Sequence, residues 1–253
     1  YIKVIERGRG SSLRTVDDFA NLSRVLIDRG NVEATRKIAA DMKRELRGDK
    51  QAEIAALVTE SLCLNNEGAV DKARHLVDQA LALQKALKSE AAEQGKQVSQ
   101  RLAVDLAHAC YTIGKEGEAT KIMRQVAAEN HEDKTLIDHI TSVFTQTGQP
   151  DAGKNLLEQV GKEIVDLNNK GVMAAREGDL EGAVAFLDQA VEQMPNLQFL
   201  VNAAKAICAL MDKKGWNEDL AARARDYLQR AQRKDRKSPK VASARESYVM
   251  VAR

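Results

Sequence analysis

Proline is scarce in this chain, three in 253 residues, and aromatic residues make up only 4%. With 43% apolar and 30% charged residues, this is the composition of a helix-leaning globular protein and not of a disordered or low-complexity one. Cysteine is equally rare. Cys63, Cys110 and Cys208 stand alone, each inside an apolar run, which excludes a disulfide framework or a zinc knuckle and points to a reducing, cytoplasmic setting. No stretch approaches the ~18 apolar residues that cross a bilayer, and no charged start followed by an apolar run marks a secretory leader. A formal charge of +2 gives the chain as a whole no attraction for polyanions.

Catalytic signatures are missing too. There is no Gly-x-Ser-x-Gly, no His-Glu-x-x-His and no glycine-rich loop ending in Lys-Ser/Thr. Carboxylates are too many and too evenly spread to single out an acid/base pair. His75 and His108 have no metal-like partner four residues on. The cluster of His131, Glu132, Asp133, Asp138 and His139 reads as acidic residues that start a helix at its positive end. A non-catalytic protein without metal or cofactor is therefore expected.

What the sequence does have is repetition. One eight-residue pattern recurs at Ala73–Ala80, Ala119–Val126, Gly153–Val160, Ala183–Ala190 and Ala224–Ala231, with a degenerate copy at Thr35–Met42. Each has a small first residue, apolar residues at the fourth and fifth places and a small or apolar eighth, which is one face of a helix. A glycine precedes every copy: Gly30, Gly68, Gly114, Gly148, Gly178 and Gly215. Glycine suits a helix end because it takes positive φ without a Cβ penalty. Three residues after most of these glycines comes an acid (Glu33, Asp71, Asp151, Glu181, Glu218), placed for the positive end of the next helix. The unit is helix, glycine turn, helix. Such a hairpin cannot bury its apolar face alone, so the expected fold is all-α: a right-handed α-solenoid of about six stacked hairpins.

The segment carrying Leu167, Gly171, Gly178, Ala183, Phe186, Leu187, Ala190 and Pro195 resembles a tetratricopeptide repeat, with Ala174 where that family prefers Tyr. Phe19–Ser23 and Leu200–Ala204 resemble its first-helix signature again, and the likeness runs from Asp17 to Ala231. Drifting repeat lengths and sparse aromatics are similar to the repeats of bacterial signalling proteins, including response regulators that carry such repeats after a receiver domain. The resemblance implies a scaffold that binds a protein or peptide in a concave groove. It places Asn21, Thr59, Asp105, His139, Asn169 and Asn202 on that groove, where a side-chain amide can donate to a peptide C=O and accept from its N–H.

Outside the repeats, Tyr1–Ser12, with Gly8 and Gly10, reads as the tail of something upstream and a loop. The array then occupies 13–237, and Ser238-Pro239 opens a capping helix over 238–253. The longest interval between copies, 46 residues, predicts two long helices meeting near Gly95. Trp216, in the last turn, is expected to pack on the adjacent helix. Between Arg223 and Lys240 lie eight basic residues against Asp226 and Asp235. Arg230, Arg233, Lys234, Arg236, Lys237 and Lys240 could bind a polyanion by counterion release. With only Tyr227 as a stacking platform, nucleic acid is the second reading. Homo-association through an exposed terminal repeat is a third, since an uncapped solenoid end leaves apolar surface.

Overall fold

A computed structural model describes residues 15–94 and 98–252. The described residues form twelve helices. These are α1 (Val16–Asp28), α2 (Val32–Glu45), α3 (Lys50–Asn66), α4 (Val70–Gln94), α5 (Gln100–Thr112), α6 (Glu116–Glu129), α7 (Lys134–Gln146), α8 (Pro150–Glu177), α9 (Leu180–Gln193), α10 (Leu197–Lys214), α11 (Glu218–Lys234) and α12 (Pro239–Val251). Among the described residues the fold is all-α, a repeat of helix hairpins. Tyr1–Ser12 and Gly95, expected to be a linker and a helix junction, lie outside the described residues.

The six turn glycines all have positive φ. At Gly114 (φ 79°) the turn closes when the Lys115 N–H donates to the Cys110 carbonyl at 2.8 Å, satisfying an orphan carbonyl at the end of α5. The same bond recurs after Gly30, Gly68, Gly148 and Gly178. Gly215 ends α10 differently, through its own N–H to Met211 O at 2.8 Å. The following helices are capped from the sequence side as well: Asn31, Asp179 and Asn217 accept from the N–H of Ala34, Gly182 and Leu220.

The eight-residue pattern is the buried stripe of each second helix. Thr35, Ala73, Ala119, Ala183 and Ala224, the small first residues, are all 0% exposed. Gly153 holds the same place in α8, where a Cβ would lie 2.7 Å from Phe144. The small residue lets the preceding helix approach, and the larger residues after it, such as Val77, Met123 and Leu187, fill the space beyond.

Among the described residues two compact units can be told apart: 15–126 with 138–153, and 127–137 with 154–252. In the first, α3 is buried nearly all round because α1, α2, α4 and α5 all pack against it. In the second, α10 has the same role between α9, α11 and α12. Helix α12 starts with Pro239 in its first turn. It buries Val241 and Ala244, and its Tyr248 lies 6.2 Å from the Trp216 ring, which stays 47% exposed.

Two expectations about helix length need correction. The long interval before the third copy is taken up by one long helix, α4 with 25 residues, and α5 is an ordinary 13. The fourth second-helix and the fifth first-helix are a single helix, α8, of 28 residues. Its buried stripe of Val160, Ile164, Asn168 and Gly171 continues at helical spacing with no proline between them, and Gly161 is passed over within the helix.

Candidate functional site

The groove residues are supplied by the first helix of each hairpin. In the first unit, three of them meet. Arg24, one turn beyond Asn21 on α1, donates from Nη2 to both carboxylate oxygens of Asp105 on α5 at 2.7 and 3.0 Å, and from Nη1 to Asn21 Oδ1 at 3.1 Å. On the other side of Asp105, His139 Nε2 of α7 stands 3.2 Å from Oδ1. Asp105 is thus a buried carboxylate fixed between a guanidinium and an imidazole, its side chain 12% exposed. Burial alone would raise its pKa; the neighbouring His139 imidazole and the Arg24 guanidinium outweigh that and hold it below the ordinary value. One turn along α5, burial pushes the His108 imidazole the other way, below its ordinary 6.5, against the pull of the Asp105 charge.

Beside this cluster lies a pocket of about 30 Å³, room for roughly one water-sized group. Its polar lining is Ser23, Arg24, Asp28, Thr59, Asp105 and His108, set among small apolar side chains. Ser23 is 2% exposed and its Oγ has no hydrogen-bond partner. Thr59, at 4%, is also buried.

In the second unit the polar residues form a directed chain. Lys240 Nζ donates to Gln198 Oε1 at 2.5 Å, Gln198 Nε2 to Asn202 Oδ1 at 2.7 Å, and Asn202 Nδ2 to Asn168 Oδ1 at 2.9 Å. The sequence pointed to Asn169 as the partner of Asn202 on this face. The structure puts Asn168 there, 6% exposed, and leaves Asn169 exposed beside it. Arg24, His108, Asn168 and Gln198 were not foreseen. Helical spacing offered the signal for three: Arg24 and His108 sit three residues beyond Asn21 and Asp105, and Gln198 four before Asn202, on the same faces.

Four of the eight basic residues of the C-terminal segment are paired within the chain. Arg223 pairs with Asp188 at 2.8 Å, Arg225 with Glu218 at 2.6 Å, Arg230 with Asp226 at 3.2 Å and Lys234 with Glu132 at 3.4 Å. Arg233, Arg236 and Lys237 are exposed and make no ion pair among the described residues. Asp133 caps α7 by accepting from the Leu136 N–H at 3.1 Å. The three cysteines are buried; burial pushes the Cys110 thiol up to about 12 and Cys208 to about 11, suppressing the thiolate nucleophile. Among the described residues, no group of three His, Cys, Asp or Glu is placed to hold a metal ion, and no helix is long and apolar enough to cross a membrane.

No family model matches the chain, and no curated protein matches its sequence. Solved structures align over most of it at low similarity. The apo form of the quorum sensor NprR from B. thuringiensis is 12% identical, with 98% of this chain and 74% of that one covered and a TM-score of 0.35. NprR in complex with its cognate peptide NprX is 12% identical, with coverages of 98% and 77% and a TM-score of 0.36. The TPR2AB-domain:pHSP90-complex of yeast Sti1 is 14% identical, with coverages of 94% and 98% and a TM-score of 0.30. Likenesses at this level assign neither a family nor a function.

Proposed function

We propose that this protein is a non-catalytic, cytoplasmic docking module that binds a protein or peptide along the polar face of its first helices, in the service of a signalling protein. The observation that carries the reading is the amide chain of the second unit. Asn202 and Gln198 are held in fixed orientation by Asn168 and Lys240. Burying polar groups in a connected chain costs desolvation, and the orientation it secures suits a surface that presents donors and acceptors to an extended backbone. On this reading the first unit has a first-helix face of its own, carrying Asn21, Thr59, Asp105 and His139, and in the second unit the exposed Asn169 lies at the edge of the face that carries Asn202. The buried, high-pKa thiols fit a reducing compartment.

The test is affinity capture from source-cell lysate with the unmodified chain and with the Asn169→Ala/Asn202→Ala variant, helicity being followed by circular dichroism. A protein retained by the first and lost by the folded variant supports the reading. Equal retention by both removes the assigned face.

A second reading, polyanion binding, is favoured by one observation only, the unpaired trio Arg233, Arg236 and Lys237. The four in-chain ion pairs of the same segment count against it.

A further inference from the structure

Resting on the docking reading above, we infer that Asp105 is an acceptor for an arginine side chain of the partner, and that Arg24 is the occupant it displaces. Two features separate the fixed member of this pair from the exchangeable one. Asp105 has a short side chain, 12% exposed, with the buried His139 ring of α7 packed 3.2 Å from its Oδ1. Arg24 is 28% exposed and reaches it from α1 on a long stem with many rotatable bonds. The bond joins helices 81 residues apart in sequence. It can be exchanged for an identical bond from outside without leaving a buried charge unpaired.

The charges around the pocket select a cation over an anion. Its lining carries two carboxylates, Asp28 and Asp105, against the single guanidinium of Arg24, and burial keeps His108 toward its neutral form. From α3 the lining adds Thr59, which is uncharged, and from α7 the carboxylate meets His139. A guest carboxylate would be a third negative group in the same pocket. It would also have to compete for an Arg24 whose Nη2 and Nη1 already bond Asp105 and Asn21. A guest guanidinium meets the reverse situation. Once Arg24 swings toward solvent, both Asp105 oxygens and the Asn21 Oδ1 that it bonded are released as acceptors, and the unpartnered, 2% exposed Ser23 Oγ lines the same pocket as Asp105. A planar fork of five N–H donors matches that set, and a bidentate guanidinium–carboxylate pair is the strong form of such a contact. A guest guanidinium needs the two Asp105 oxygens that Arg24 Nη2 already bonds, so entry and displacement are one event.

The experiment titrates the full chain with N-acetyl-arginine methylamide, its neutral isostere N-acetyl-citrulline methylamide, and N-acetyl-aspartate methylamide. The imidazole NMR signals of His108 and His139, which flank Asp105, report occupancy. The arginine probe should shift both saturably. Its affinity should rise ~10-fold or more in Arg24→Ala, where the internal competitor is gone, and vanish in Asp105→Asn; citrulline should do nothing. If Arg24→Ala does not fold, Arg24→Gln serves the same comparison. The inference is overturned if removing Arg24 leaves the arginine probe no tighter, or if the aspartate probe shifts these signals and the arginine probe does not. Because the amide chain lies in the other unit, a partner captured through Asn202 by a chain indifferent to arginine would leave the docking reading standing and remove this one alone.

Discussion

Gly171 lies on α8 where α9 crosses it, and a Cβ built there would come to 2.5 Å from Leu187 Cγ, 3.0 Å from Leu187 Cδ2 and 3.1 Å from the Ala183 carbonyl oxygen. Gly171→Ala therefore sets two effects of opposite sign against each other. Alanine is the better helix former by about 1 kcal/mol. Against that, Leu187 is 1% exposed, with no space to retreat into, and the Ala183 carbonyl belongs to the α9 backbone. Forcing a methyl into a filled contact of this kind costs about 1–3 kcal/mol. At 2.5 Å the approach to Leu187 Cγ is about 1 Å inside van der Waals contact, so the upper part of that range applies, and the expected net loss is about 1–2 kcal/mol. Gly117→Ala on α6 is the internal control, since nothing lies within 4 Å of its Cβ position. Only the propensity term remains there, and a gain of about 0.5–1 kcal/mol is expected. Urea unfolding followed at 222 nm reads both midpoints. A Gly171→Ala chain as stable as the unmodified one would refute the close approach of α8 and α9.

Asp105→Asn should destabilise the chain by about 2–3 kcal/mol, toward the low end for a broken buried pair because Arg24 keeps part of its side chain in water; denaturant midpoints check it. In the unmodified chain the depressed Asp105 pKa contributes stability that is present above 3.8 and lost as pH falls through the lower folded value, so the acid limb of a pH–stability curve should be shallower in the variant. His108 acts at higher pH. Its folded pKa lies below 6.5, so on acidification from 6.5 the unfolded chain binds a proton that the folded one refuses, and stability falls. His108→Gln should flatten thermal stability between pH 7 and pH 5 relative to the unmodified protein. Charge reversal of Arg233, Arg236 and Lys237 should leave the melting temperature within a degree or two, since these are exposed positions. Its effect on heparin retention decides the polyanion reading: retention that falls steeply with salt and disappears in the variant would make that segment a binding site.

The hairpins were readable from sequence because their determinants are local. A glycine at each helix end, a cap after it and a small residue at the start of each buried stripe follow from φ/ψ and helical spacing alone, and Gly114, Asn217 and Ala183 show each of them in place. The fusion within α8 was not readable, because a repeat pattern marks where helices pack and a turn is marked only by residues that break them. Gly161, Asn168 and Asn169 are of the kinds that end or cap helices elsewhere in the chain, yet here the helix runs through them because its buried stripe does. The candidate face was legible only in part. Asn21, Asp105 and His139 were singled out one by one, yet what unites them is Arg24, whose partner is 81 residues away and left no local trace. On α8 the step from Asn169 to Asn168 is a rotation of about 100°, enough to turn an exposed side chain into a buried one. Two adjacent asparagines give composition no means of choosing between them; burial against α10 chooses Asn168.

The central claim, that the first helices form the docking face, is tested most directly by site-specific photocrosslinking to a protein that the chain captures. A benzophenone amino acid would replace exposed Asn169 on α8 in one sample and exposed Gln189 on α9 in another. The account predicts a covalent adduct with the captured protein from position 169 and none from 189. Adducts from 189 without any from 169 would place the docking surface on the second helices and contradict it.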